Sequence, residues 1–256
     1  MGFCGIQSCL ALWLSRMSEN RACGIAAILR KLVVLKFEGA WPAPPSEVFA
    51  LDEVTTLFWD VGGVILSNGW DREQREAAIQ YFHLDAADFE QRHGSADKIF
   101  EMGQITLDEY LDRTVFFRPR GFPREEFTAF LFSQSTENHG TRAVLDELSS
   151  AGRYLLATLN NESAGLNAHR IRKFQLTRNF TVFFTSCYLG VRKPDDAIYR
   201  QALDMTQRPP QQCLFIDDRA ANLEPARRLG MHTIHFQNPA QLAQELKQEG
   251  VRGAAA

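Results

Sequence analysis

The chain has 256 residues, 45% hydrophobic and 23% charged, with a formal net charge of −3. That is the balance of an ordinary globular protein of one to two domains, which excludes disordered and collagenous classes. The slight acidity leaves no basic excess to drive sequence-independent nucleic-acid binding. No apolar run reaches the ~20 residues of a membrane span, because Arg16, Glu19, Arg21, Arg30 and Lys31 interrupt the N-terminal apolar stretch.

Residues 1–52 read as a leader unlike the rest. Between Met1 and Lys36 five basic residues face one acidic residue, Glu19, and Trp41-Pro-Ala-Pro-Pro45 then breaks the chain. A signal peptide carries its positive charge before the apolar stretch, whereas here Phe3–Leu14 precedes the first Arg. The acid-poor composition suits a transit peptide or an interfacial amphipathic helix, and equally a plain extension. Gly2 is followed by Ile at position 6, which breaks the myristoylation pattern. Three of the five cysteines (Cys4, Cys9, Cys23) fall here, and only Cys187 and Cys213 lie beyond. An odd number without Cys-x-x-Cys indicates neither a disulfide framework nor a zinc site, so a reducing, cytoplasmic setting is expected.

From Glu53 onward the pattern is α/β. Val54–Trp59, Tyr154–Leu159, Val182–Thr185, Cys213–Ile216 and Met231–Phe236 are short runs apolar on both faces, as buried parallel strands require. Helical patterns separate them. Thr141–Ala151 ends at a C-cap Gly152, Pro194 opens a segment with Ile198, Tyr199, Ala202 and Leu203 on one face, and Gly230 closes Leu223–Leu229. The interval after the first strand is too long for one crossover. Arg72–Phe82, a segment opened by the capping box Thr106-Leu-Asp-Glu109, and Pro123–Phe132 read as helices of an insertion. The expected architecture is a doubly wound, Rossmann-like parallel sheet, residues 53–70 and 136–240, interrupted by a helical cap at 71–135 and followed by a helix or tail at 241–256.

Polar residues follow the strands: Asp60 the first, Asn160-Asn161 the second, Asp217-Asp218 the fourth. Ligands of open parallel sheets bind outside the carboxyl ends of the strands. One such Asp is commonly a turn or N-cap residue. Three groups at one sheet edge, with Lys193-Pro194 opening another helix, are hard to explain as caps alone.

Trp59-Asp-Val-Gly-Gly-Val64, Leu159-Asn-Asn-Glu162, Gly190-Val-Arg-Lys-Pro-Asp195 and Phe215-Ile-Asp-Asp218 with Asn222 resemble, in order and spacing, the four motifs of the haloacid dehalogenase-like hydrolase superfamily. The resemblance covers about residues 53–240, and the insertion falls where that superfamily carries its first-type cap. It implies a Mg²⁺-dependent phosphatase acting on a small phosphorylated metabolite. Asp60 would be the nucleophile that forms an aspartyl-phosphate, and Lys193 its catalytic partner. Asn160, Asn161 and Lys193 would bind phosphate, and Asp60, the Gly62 carbonyl, Asp217 and Asp218 would hold the metal. Charge supports this independently. Asp60, Asp217 and Asp218 bring −3 to one site, and at ~4 Å with an effective dielectric near 20 each like-charge pair costs about 4 kcal/mol. Mg²⁺ and Lys193 together offset it, and carboxylate oxygens are the ligands Mg²⁺ prefers.

The chain departs from the family in two places. The usual acid/base Asp two residues after the nucleophile is Gly62, which keeps a carbonyl for metal but loses a proton donor, typically worth 10²–10⁴-fold. That implies a slower enzyme, a substrate with a good leaving group, or a substitute acid such as Glu162 or the cap residue Glu101. The usual Ser/Thr of the second motif is Asn160, whose amide offers two N–H donors; Thr158 lies deeper in the strand. Val64–Leu66 with Asn68-Gly69 reads as a hairpin flap carrying the cap. Trp70, Phe116, Phe117, Phe127, Phe130 and Phe132 either line the cap's inner face or form its core. Arg118-Pro-Arg120 either reaches an anionic substrate or is solvated. His169-Arg170 is placed to approach the site, whereas His232 and His235 fall on opposite strand faces. Two other readings exist: a dehalogenase, whose relatives also lack the second Asp but need no metal, and a binding or regulatory protein that lost turnover at Gly62 and Asn160.

Overall fold

The computed structural model describes residues 53–253. The expected leader, 1–52, lies outside the described residues. Five strands form one parallel sheet: β1 (Thr56–Trp59), β2 (Leu155–Asn160), β3 (Val182–Thr185), β4 (Cys213–Asp217) and β5 (His232–His235), in the order β3-β2-β1-β4-β5. The chain winds outward from β1 to one side through β2 and β3, then returns to place β4 and β5 on the other. This doubly wound arrangement makes the carboxyl end of β1 the switch point.

Alternation along the strands explains the three layers. Leu57, Trp59, Leu214 and Ile216 face α5 (His139–Ala151) and α10 (Pro239–Gln248), packing on Leu145, Leu148, Leu242 and Leu246. Phe58, Ala157, Leu159 and Phe215 face α8 (Asp196–Thr206) and α9 (Ala220–Arg228), packing on Ile198, Tyr199 and Leu223. Every β1 side chain is buried, so each face contributes about 25 cal/mol per Å² of apolar surface removed from water. Two boundaries differ from expectation. Asn160 and Asp217 belong to the last rungs of β2 and β4, paired with Thr185 and His235, rather than following the strands. Helix α8 begins at Asp196, with Asp195 accepting from the Ala197 N–H as its N-cap, so Pro194 precedes the helix.

Four helices form the insertion: α1 (Arg72–Tyr81), α2 (Ala86–Glu101), α3 (Leu107–Thr114) and α4 (Arg124–Ser133). The expected capping box is present in α3, where Thr106 accepts from the Glu109 N–H and Glu109 from the Thr106 N–H. Helix α2 was not legible from periodicity, because its buried stripe of Phe89, His93, Ala96 and Phe100 contains a histidine. Phe82, Phe89, Phe100, Tyr110 and Phe127 form a separate apolar cluster, with Phe116 and Phe130 packed against it. These aromatics are therefore cap core. Phe132 stacks on His169 at 4.4 Å between ring centroids.

The flap is not a hairpin. Gly63 N–H donates to Leu66 O (2.8 Å) and Leu66 N–H to Val61 O (2.9 Å), closing a tight loop. Its end then pairs with the returning linker, through Ser67 N–H to Thr136 O (2.8 Å) and Asn138 N–H to Ile65 O (2.9 Å). The chain leaves Asn68-Gly69 directly for the cap, so no second strand exists to complete a hairpin. No helix among the described residues is long and apolar enough to cross a membrane.

Candidate active site

The β1, β2 and β4 ends bring the candidate residues together. Asp60 follows β1, its N–H donating to Ile216 O of β4 (2.9 Å). Its Oδ1 accepts from the Val61 N–H (2.8 Å) and lies 3.1 Å from Lys193 Nζ. Among the described residues Oδ2 has no protein donor, and Asp60 lines a cleft of about 250 Å³ between sheet edge and cap. Lys193 Nζ, 1% exposed, also bonds Asp217 Oδ2 at 2.6 Å, so one ammonium bridges two carboxylates. Asp217 is saturated, because it accepts from the Asn222 amide (3.0 Å to each oxygen) and from the Arg219 N–H (2.8 Å). Asp218 is not saturated. Its Oδ1 is buried without a hydrogen-bond partner.

Carboxylate oxygens of Asp60, Asp217 and Asp218 lie within 4.8 Å of one another. With Lys193 the cluster carries −2. Burial, reinforced by Asp217 and Asp218, pushes Asp60 up to about 7 against the pull of Lys193. Burial alone would lower Lys193, but Asp217 and Asp60 outweigh it and hold its ammonium above the usual lysine range. An all-oxygen donor set with an orphaned buried oxygen on Asp218 fits a hard divalent cation such as Mg²⁺. Gly63 permits this geometry: its φ is +76°, and a Cβ there would stand 2.2 Å from Asp218 Oδ2.

The two asparagines part company. Asn161 lines the cleft and exchanges two hydrogen bonds with the Lys193 backbone (2.8 and 2.9 Å), fixing the loop that carries the lysine. Asn160 is buried at 2% exposure, its Oδ1 accepting from Thr185 Oγ1 (3.2 Å), and it is not part of the cleft lining. Strand alternation turns it to the face opposite Leu159.

Arg170 is the cleft residue that sequence reasoning only half located. In α6 (Ala164–Lys173) the buried stripe is Leu166, Asn167 and Arg170, which turns Arg170 inward and leaves His169 against Phe132. That i, i+1, i+4 spacing was the available signal. Arg170 lies 3.2 Å from Glu162 and donates to Ser135 Oγ (3.0 Å) and Ser67 O (2.8 Å). Burial raises Glu162 above the ordinary carboxylate range despite Arg170.

The cap supplies the roof. Trp70 Nε1–H donates to the Tyr110 hydroxyl (2.8 Å), which is hydrogen-bonded in turn to His93 Nδ1 (2.9 Å). Burial and then Arg75 hold His93 below its usual range, and its Nε2 lies 3.7 Å from Asp97. Arg192 of the core pairs with Asp97 (3.2 Å) and Glu101 (3.0 Å) of α2, and Arg219 pairs with Asp71 at 2.6 Å. Burial and the Asp97 charge push Glu101 up to about 7. Arg118 and Arg120 do not reach the cleft: with Arg92 they surround the Phe117 ring elsewhere on the cap.

Flavin mononucleotide hydrolase 1 of Arabidopsis thaliana is 30% identical over 152 residues, 59% of this chain and 61% of that protein. Bifunctional epoxide hydrolase 2 of Mus musculus is 38% identical over 73 residues, 28% of this chain and only 13% of that protein. Sesquiterpene phosphatase astK of Aspergillus oryzae is 26% identical over 154 residues, 58% of this chain and 76% of that protein. Among solved structures, a HAD family enzyme of Bacteroides thetaiotaomicron in complex with magnesium and inorganic phosphate has a TM-score of 0.62 at 20% identity, covering 72% of this chain and 95% of that one. An L-2-haloacid dehalogenase has a TM-score of 0.53 at 19% identity, covering 73% and 86%. At these identities the structural likeness speaks to the fold alone. The family pattern described as haloacid dehalogenase-like hydrolase matches residues 54–230. The chain spans less than two thirds of the length of the first two relatives, and by the family pattern it belongs to the haloacid dehalogenase-like hydrolases.

Proposed function

We propose that the protein is a Mg²⁺-dependent phosphatase that hydrolyses a small phosphorylated metabolite through an aspartyl-phosphate on Asp60. The observation that carries this reading is the triangle of Asp60, Asp217 and Asp218 with Lys193 bridging two of its members. Such a site disfavours a phosphate dianion until a divalent cation is present. Asp60, Asp218 and the Gly62 carbonyl would hold the metal, with Asp217 alongside while also anchoring Lys193. The metal supplies charge neutralisation of the phosphoryl oxygens. Asp60 Oδ2, free of protein donors, attacks phosphorus, and Lys193 and Asn161 steady the site around it. Asn160 supports from within the fold rather than by touching phosphate. The flavin mononucleotide hydrolase and sesquiterpene phosphatase relatives favour phosphate chemistry. A cleft of about 250 Å³, small beside the ~300–1,000 Å³ of typical ligand sites, favours a compact substrate.

Dehalogenation by the same nucleophile is the competing chemistry, and a dehalogenase is among the structural neighbours. It makes no use of a carboxylate cluster with an orphaned oxygen. The test is phosphate release from a panel of phosphorylated metabolites by the wild-type protein and by Asp60→Asn, with Mg²⁺ and with chelator. Release that needs Mg²⁺ and vanishes in Asp60→Asn is expected. Release indifferent to chelator would refute the proposal. Halide release from 2-haloacids without metal would establish the competitor, and silence on both panels would favour a binding role.

A further inference from the structure

The vacancy left by a glycine at position 62 has a neighbour. A Cβ built on Gly62 would stand 3.3 Å from Asn68 Oδ1 and 3.5 Å from Arg170 Nη1. A carboxylate there would extend toward the Arg170 guanidinium. We propose that Arg170 stands in for the missing acid by charge rather than by proton transfer: its Nη1–H contacts the leaving-group oxygen of the substrate. The preferred substrates are then phosphates whose leaving group departs as a stable anion, namely acyl phosphates, enol phosphates or phosphoanhydrides. This rests on the phosphatase reading and deepens it.

Several features hold the guanidinium at that station. Nε donates to Ser135 Oγ, Nη2 to Ser67 O, and Nη1 is ion-paired with Glu162. These contacts use two N–H groups in hydrogen bonds and one nitrogen in the ion pair, so donors remain for the cleft that Arg170 lines. Space is reserved for it: a Cβ on Gly69 would come within 2.4 Å of Arg170 Nη2. The residue is 2% exposed, and Glu162 beside it offsets the cost of burying its charge. Arg170 is the charged group found beside position 62; Glu101 is engaged with Arg192, and Glu162 touches Arg170 itself.

The chemical step balances without a proton donor. An Asp60 oxygen forms a bond to phosphorus, the bond from phosphorus to the leaving oxygen breaks, and its electron pair stays on that oxygen. The guanidinium donates a hydrogen bond to the developing anion and keeps its proton, because an arginine does not deprotonate. The product leaves as carboxylate, enolate or phosphate and takes up a proton from water according to its own basicity. Preorganised donors of this kind are worth 10²–10³-fold in rate.

The test compares wild type, Arg170→Met and Arg170→Lys on acetyl phosphate, a series of aryl phosphates of rising leaving-group basicity, and glycerol phosphate, all with Mg²⁺. Wild type is expected to favour acetyl phosphate over glycerol phosphate by more than about 10²-fold in kcat/KM, with rates falling steeply across the aryl series. Arg170→Met should lose about 10²–10³-fold, most on the poorest leaving groups, with Arg170→Lys keeping part of the rate. A flat wild-type series would show that a proton donor exists and would overturn the proposal. A second arm measures binding of inorganic phosphate with Mg²⁺ by calorimetry, since one phosphate oxygen occupies the leaving-group position. Arg170→Met should weaken it about tenfold or more, with Arg170→Lys intermediate and both variants shown folded by thermal denaturation. Unchanged phosphate affinity in a folded Arg170→Met would overturn the proposal. If wild type releases no phosphate from any compound, the phosphatase reading fails, and the binding arm alone decides whether Arg170 contacts phosphate.

Discussion

Replacing Lys193 by methionine keeps an unbranched side chain of similar bulk and removes its ammonium. In the folded protein that ammonium lies 2.6 Å from Asp217 and 3.1 Å from Asp60, with 1% of the side chain exposed. At an effective dielectric near 20 those contacts are worth about 6 and about 5 kcal/mol of Coulomb attraction, before desolvation is subtracted. Desolvation offsets much of this in the intact site, but deleting one partner leaves two buried carboxylates facing each other, a change that costs about 3–5 kcal/mol. The loss depends on pH. Asp60 already sits at about 7 with the ammonium in place, and without it the carboxyl rises further above the unfolded value of about 3.9. The folded variant then binds more protons than its unfolded chain as pH climbs from there, so its stability falls with rising pH. The assay is equilibrium urea denaturation of wild type and Lys193→Met in chelator at pH 5 and pH 8. A deficit near 3–5 kcal/mol at pH 8, clearly smaller at pH 5, is expected. A deficit under about 1 kcal/mol at pH 8, or the same at both pH values, would refute the claim that Lys193 is what allows these carboxylates to coexist.

Three other perturbations read different parts of the site. In Asp218→Asn the orphaned carboxylate becomes an amide, so the rise in Tm that Mg²⁺ gives the wild-type protein should largely disappear; an undiminished rise would remove Asp218 from the metal site. Gly63→Ala places a Cβ against Asp218 in left-handed backbone, costing about 1–2 kcal/mol from the backbone alone, and should weaken Mg²⁺ binding by calorimetry as Asp218 shifts. Glu101 sits at about 7 when folded, above its unfolded value, so stability is lost as pH rises from about 4.5 toward 7, by up to about 3 kcal/mol. Glu101→Gln should flatten that part of the stability profile in urea melts at pH 4.5 and 7.5. An unchanged profile would mean the Arg192 contact already keeps Glu101 ionised when folded.

The amino-acid order alone carried the parallel sheet and the polar residues at its carboxyl edge. Runs such as Leu57–Trp59 and Cys213–Ile216 are apolar at consecutive positions, as a strand covered on both faces requires, and Asp and Asn residues punctuate the carboxyl ends. Aromatics of the insertion were legible as either lining or core, and burial settled Phe127 as core. Other features depend on contacts that no local pattern encodes. Whether Asn160 or Asn161 meets the cleft turns on which face β2 presents at its last rung, a matter of register with Thr185 of β3. Helix α2 hid because His93 interrupts its apolar stripe, and a buried histidine is tolerable only where Tyr110, brought from α3, supplies its hydrogen bond. Arg118 and Arg120 sat in a promising sequence, yet the fold of the cap turned them onto Phe117. Arg170, 110 positions beyond Asp60 in sequence, reaches the gap at Gly62 only because α6 packs against the flap. The sequence thus determined which chemistry the strand ends can support. Tertiary packing decided which charges meet there, because electrostatic partnership depends on distance through space and not along the chain.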